Sequence, residues 1–190
     1  MLNRAVTSID WSPNQPELLL ASFSKSNEWS MDELDGYINL YSLSLQSRPE
    51  LTLTCQYEVT KAMFNPHDPN IVIGATQTGY LLEWDVRAKK EPIKQTLDRR
   101  NRSQPIQKSC LAQNGHNHPV YSLSVIGSQN AHSIVSISND GKMCMWKPKM
   151  LADSREYARL EIPPNILASK RSAADSSSLM APASSSIATK

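Results

Sequence analysis

The sequence predicts an all-β chain assembled from short four-stranded antiparallel units, and three observations predict it. A strand-like motif closed by a turn recurs: Val6-Thr7-Ser8-Ile9-Asp10-Trp11-Ser12-Pro13 has the form of Val59-Thr60-Lys61-Ala62-Met63-Phe64-Asn65-Pro66. Each copy is followed by a short apolar run of strand length. A glycine then stands five residues before an aromatic in every copy, Gly36 before Tyr41, Gly79 before Trp84 and Gly141 before Trp146. Self-similarity of this kind marks a repeat architecture.

Taken in order, the first strand of each unit starts on a β-branched residue, and in the first two copies it stops at proline, which cannot donate to a sheet ladder. The third copy, Pro119-Val120-Tyr121-Ser122-Leu123-Ser124-Val125, lacks that terminal proline. Second strands are predicted at Leu18 to Phe23, Ile71 to Thr76 and Ile134 to Ser138. Third strands run from the turns Asp35-Gly36, Thr78-Gly79 and Asp140-Gly141 to Tyr41, Trp84 and Trp146. Fourth strands are placed at Glu50 to Tyr57, Pro92 to Leu97 and Arg155 to Ile162. The predicted organisation is therefore a unit over residues 1–57, a second over 58–97, a basic linker over 98–114, a third unit over 115–163, and a Ser/Ala-rich tail over 164–190 that buries too little to fold.

The chain has 190 residues, 39% of them apolar and 20% charged, the balance of a soluble globular protein. Twenty basic and eighteen acidic side chains leave a net charge of +2, which gives no reason to expect nucleic acid or an anionic membrane as the main partner. Cys55, Cys110 and Cys144 are far apart and form no CxxC pair, so neither a disulfide framework nor a zinc site is expected and reduced cytosolic thiols fit best. No stretch has the length of a membrane span, and the N-terminus lacks the apolar core of a secretory signal, so the expected compartment is the cytoplasm.

A unit of four antiparallel strands is a β-propeller blade. The units resemble WD repeats through Gly115-His116, through Ser138-Asn139-Asp140-Gly141-Lys142-Met143-Cys144-Met145-Trp146, and through Trp84-Asp85, although the first and third units end in Tyr41-Ser42 and Trp146-Lys147. Propellers close with about four to eight blades. Three are too few, and the chain is expected either to be part of a longer protein or to complete a ring with other subunits.

Finer residues narrow the resemblance. The segment from His116 to Cys144, with its His118-Pro119-Val120-Tyr121 and Gln129-Asn130-Ala131-His132 pieces, is similar to one segment of cytoplasmic dynein intermediate chains. Asp10-Trp11-Ser12-Pro13 with Pro16-Glu17-Leu18, and Pro69-Asn70-Ile71-Val72-Ile73-Gly74-Ala75-Thr76, look like that family's first repeats. The resemblance covers residues 4 to 150. It implies a non-catalytic subunit of a microtubule motor complex, cytoplasmic and associated with the cytoskeleton. Its propeller would dock on the dynein heavy chain, with light chains and dynactin in the same assembly and microtubules reached indirectly. A WD adaptor of a ubiquitin ligase or chromatin complex is the alternative.

The repeat assigns His116, Ser136, Asp140 and Trp146 to the hydrogen-bonded structural tetrad of a WD blade. The same His, Ser and Asp types serve nucleophilic catalysis elsewhere, but no GxSxG turn accompanies them and no catalytic residue is assigned. No cofactor is implied, and the His116/His118 pair lacks the further ligands a zinc site needs. Trp11, Tyr41, Phe64 and Trp84 sit at strand ends and are expected in the blade cores. Trp29 lies in the polar loop from Lys25 to Asp35 and is the candidate partner contact. The basic run from Lys89 to Lys108 lacks the interleaved aromatics of single-strand nucleic-acid binders and reads as a solvated linker.

Overall fold

The computed structural model describes residues 4–26, 34–45, 47–89, 102–103, 105, 107–109 and 115–161. Within Met1–Arg159, one of two structural units, three sheets stand in chain order; of the other unit, Leu160–Lys190, only Leu160 and Glu161 are described.

The first sheet contains β1 (Val6–Trp11), β2 (Leu18–Phe23), β3 (Gly36–Ser42), β4 (Leu51–Cys55) and β8 (Arg102–Ser103) in that spatial order. The second contains β5 (Val59–Phe64), β6 (Ile71–Thr76), β7 (Leu81–Asp85) and β9 (Gln107–Lys108). The third contains β10 (Val120–Ser128), β11 (Ala131–Ser138), β12 (Lys142–Lys147) and β13 (Met150–Arg159). All pairings are antiparallel except β4 with β8. A 3-10 turn, Val86–Lys89, follows β7. The fold is thus all-β, with three blades of a partial WD-type propeller among the described residues.

The repeated sequence produces repeated local geometry. The turns after β1 and β5 close alike, the Ser12 amide donating to the Leu18 carbonyl and the Asn65 amide to the Ile71 carbonyl, both at 2.9 Å. The constant glycine-to-aromatic spacing sets the register: Tyr41 lies opposite Leu19, Trp84 opposite Val72 and Trp146 opposite Ile134. Each blade also carries an irregularity between its first two strands, at Thr7, Thr60 and Tyr121. A bulge re-aims its side chain, and here it reaches the next blade: Thr7 Oγ1 donates to the Val59 carbonyl at 2.9 Å, and Thr60 Oγ1 to the Val120 carbonyl.

Two apolar layers join the blades. One packs Leu20, Ile38 and Leu53 of blade 1 against Ala62, Phe64 and Trp84 of blade 2. The other packs Ile71, Ile73 and Leu81 of blade 2 against Val120, Ile134 and Trp146 of blade 3. Strand β6 serves both layers and is buried along its whole length, which accounts for its unbroken apolar sequence.

Four expectations change. Trp11 is not a core residue: it is 51% exposed, because its side of β1 is the face that in blades 2 and 3 is covered by the preceding blade. Tyr41 is half-buried at the edge of a small cluster of Ala21, Phe23 and Tyr37. The 98–114 stretch is not wholly a linker, since Arg102–Ser103 extends the first sheet and Gln107–Lys108 supplies a fourth strand to the second. The last strand starts at Met150 rather than Arg155, after a tight turn in which Lys149 adopts a φ of 62°. The Pro92 to Leu97 strand, Trp29 and the Ser/Ala-rich tail lie outside the described residues.

Candidate functional site

A buried polar constellation lies inside blade 3. Ser136, at the middle of β11, and Trp146, near the end of β12, meet because the antiparallel register brings the indole over the serine: Trp146 Nε1 donates to Ser136 Oγ at 2.7 Å. His116 enters from the segment before β10, its Nε2 also 2.7 Å from Ser136 Oγ. An indole N–H only donates, so Ser136 Oγ accepts from Trp146, and with the Asp140 carboxylate on the Nδ1 side of the ring the Ser136 hydroxyl donates to His116 Nε2. That leaves the imidazole proton on Nδ1, which faces Asp140 Oδ1 at 3.6 Å. Asp140 is held by the tight turn, its Oδ1 accepting the Lys142 amide at 2.9 Å.

The electrostatics keep this histidine neutral. Burial lowers the His116 pKa and outweighs the attraction of Asp140. For Asp140, burial pushes upward, but the Lys142 amide and the Ser138 hydroxyl bring the net shift downward. Beside them burial raises the Cys144 thiol to about 11, so it stays protonated.

Serine, histidine and aspartate here have the connectivity of a nucleophilic triad, but His116 and Ser136 are fully buried and the serine oxygen already receives an indole N–H. No substrate reaches it in this conformation. The chemistry available is cross-linking of strands: Ser136 joins Trp146 and His116 by hydrogen bonds, and Asp140 faces the histidine ring at 3.6 Å with its Oδ2 buried and unpaired among the described residues, so the contacts tie two strands, a turn and a leading segment together.

Blade 2 has no such network. Gly74 occupies the position of Ser136 and supplies no side-chain acceptor; a Cβ there would lie 2.7 Å from the Trp84 ring, and the buried Trp84 indole N–H has no hydrogen-bond partner among the described residues. Instead, blade 2 carries an aromatic clamp that sequence reading missed. The Lys108 ammonium lies 3.7 Å from the Tyr80 ring centre, 4.5 Å from that of Tyr57, and 3.0 Å from the Tyr57 hydroxyl. The signal was one lysine in a basic run whose pairing with β7 depends on a long connection. Among the described residues no group of His, Cys, Asp and Glu is placed to hold a metal ion, and no helix is long and apolar enough to cross a membrane.

A profile of the family described as "Dynein axonemal intermediate chain 3 WD40 domain" matches residues 1–165. The chain belongs to this family of dynein intermediate chain WD40 domains. Like those proteins it carries WD repeats, and it is 37% identical over 160 residues to the "Cytoplasmic dynein 1 intermediate chain" of Drosophila melanogaster. That alignment covers 84% of this intermediate chain domain and 22% of the fly protein, so the chain spans about a fifth of the length of the curated relative it matches.

Proposed function

We propose that this intermediate-chain domain is a non-catalytic scaffold of the cytoplasmic dynein complex, with blade surfaces that hold the motor heavy chain and so support microtubule-based transport. The observation that carries the reading is the 37% identity, over most of the chain, to a cytoplasmic dynein intermediate chain. The burial of His116, Ser136 and Trp146, with Ser136 hydrogen-bonded to both of the others, supports a structural role for these residues. Light chains and dynactin belong to the same proposed assembly, with microtubules contacted through the heavy chain, in the cytoplasm and on the cytoskeleton.

The matching family profile carries an axonemal name while the fly relative is cytoplasmic, so the motor class is the point to test. Affinity purification of the endogenous protein from native extract, followed by mass spectrometry, is expected to recover cytoplasmic dynein heavy chain and light chains. Recovery of axonemal heavy chains would replace the cytoplasmic assignment, and recovery of an unrelated assembly would end the motor reading.

A further inference from the structure

Blades 2 and 3 meet at a pair of histidine rings, His67 and His132, that stands apart from the blade 3 network. We propose that this pair is a pH-responsive latch: neutral His132 holds the β10–β11 hairpin on the connection between β5 and β6, and its protonation releases the hairpin.

The hairpin is longer than its counterpart in blade 2. Val72 and Ile134 lie opposite the aromatics Trp84 and Trp146, so the two positions correspond. Val72 pairs in turn with Phe64, and Ile134 with Val125. In blade 2 the ladder stops there and Asn65 to Asn70 connect the strands. In blade 3 it runs on, through Ile126 with Ser133, Gly127 with His132 and Ser128 with Ala131. The added ladder carries His132 to the blade 2 connection, where its ring centre lies 4.8 Å from that of His67 with 46° between the ring planes. Both histidines are half-buried.

The hydrogen bonds select the protonation state that this position accepts. A carbonyl only accepts, so His132 Nδ1, 3.2 Å from the Gln129 carbonyl, carries the proton. Its Nε2 is then an acceptor, and it faces the Asn65 side-chain nitrogen at 3.4 Å. The orientation of that amide is set from the other side, because Asn65 Oδ1 accepts the His67 backbone amide at 3.0 Å and the residue is buried. A second proton on the His132 ring goes to Nε2, where donor then meets donor. The same proton sets a positive charge against the His67 ring, and charging both rings puts like charges in contact.

The surrounding charges are engaged elsewhere. Asp68, beside His67, accepts from the Asn70 amide and side chain through Oδ1. Beyond it, Asp85 is ion-paired with Arg87, and Glu83 accepts the Lys149 amide. The hairpin from Ile126 to Ser133 contains no acid or base besides His132. Among the described residues neither ring joins an ion pair. Histidine is the side chain whose charge changes between about pH 5 and 8. The latch is therefore closed at the upper end of that interval and open at the lower, where the surface that the two blades form together at this hairpin is altered.

Proton NMR of the full chain at about pH 8 and about pH 5 reads the latch directly. Nuclear Overhauser contacts between the His67 and His132 rings are expected at the upper pH and lost at the lower. Those between His116 and Trp146 are expected at both, reporting an intact blade 3. His132→Phe keeps a ring and cannot take the proton, so its contact with the His67 ring is expected to persist at both pH values. His67→Phe removes one of the two charges but leaves the donor conflict, and is expected to retain the loss of contact at the lower pH. If His132→Phe fails to fold, His132→Gln, which offers Asn65 a neutral acceptor, replaces it with the same expectation. A wild-type contact that survives at the lower pH overturns the proposal. A loss that persists when position 132 cannot protonate overturns it too, since the titrating group then lies elsewhere. Simultaneous loss of the His116 to Trp146 contacts would mean acid unfolding of the blade and not release of a latch, which also overturns it.

Discussion

Ser136 is the residue on which blade 3 turns, because one hydroxyl oxygen satisfies an indole donor on one side and an imidazole acceptor on the other. Removing the hydroxyl leaves both Trp146 Nε1 and His116 Nε2 buried without partners, a loss of about 1–3 kcal/mol per unsatisfied group. Ser136→Ala is expected to lower the urea midpoint of unfolding, while Ser128→Ala, at an exposed position, leaves it unchanged. Glu83 makes a prediction of opposite character. It is buried at the blade 2 to blade 3 boundary, where it accepts the Lys149 amide at 3.3 Å, and burial raises its pKa. The folded chain therefore holds the proton at pH values where the unfolded chain has released it. The contribution of Glu83 to stability is fully present below the ordinary carboxylate range and is lost as pH rises through the raised folded value. Glu83→Gln keeps an acceptor for the Lys149 amide and removes the charge, so unfolding measured across this interval should lose its pH-dependent decline, and stability at pH 7 should not fall. A marked loss at pH 7 would mean that the carboxylate is needed ionised. WD spacing in the sequence is what singles out His116, Ser136, Asp140 and Trp146 as candidates for a blade 3 network. The Lys108 clamp and the buried Glu83 were not, because their partners lie far away in the chain and nothing local selects them.

At the scale of the element, the glycine turns show how one spacing is reused for different reasons. Gly79 has a φ of 90°, in the region L side chains avoid, and a side chain there would be driven into the His116 carbonyl of blade 3. Gly36 lacks the positive φ but is hemmed in by the Tyr57 carbonyl and the Cys55 thiol. Because Gly79 combines backbone strain with a close approach across blades, Gly79→Ala is expected to destabilise by more than about 1 kcal/mol, read as a lowered Tm. An unchanged Tm would show that the turn is not seated on blade 3 as described. Most strands were legible from pattern: β2 and β6 have the bounds their apolar runs suggest, and the glycine-to-aromatic interval anticipated the register. The fourth strand of blade 2 was missed, since the two residues of β9 carry no periodicity and become a strand only by pairing with β7.

At the scale of the molecule, among the described residues the central blade is covered on both faces and the flanking blades on one each. Opening free energies should follow that order. In hydrogen–deuterium exchange the amides of β6 are expected to be the slowest, and those of β1 and β13 among the fastest of the paired strands; equal protection across the three sheets would contradict this arrangement.

What the sequence determined by itself is what local pattern carries: an all-β chain of short repeated antiparallel strands, and the dynein intermediate chain family. Only the tertiary structure decided which face of each strand is covered. Trp11 and Phe64 stand at the same position of the same motif, yet one is half-exposed and the other buried, because burial depends on whether a neighbouring sheet is present and not on the residue or its flanking sequence.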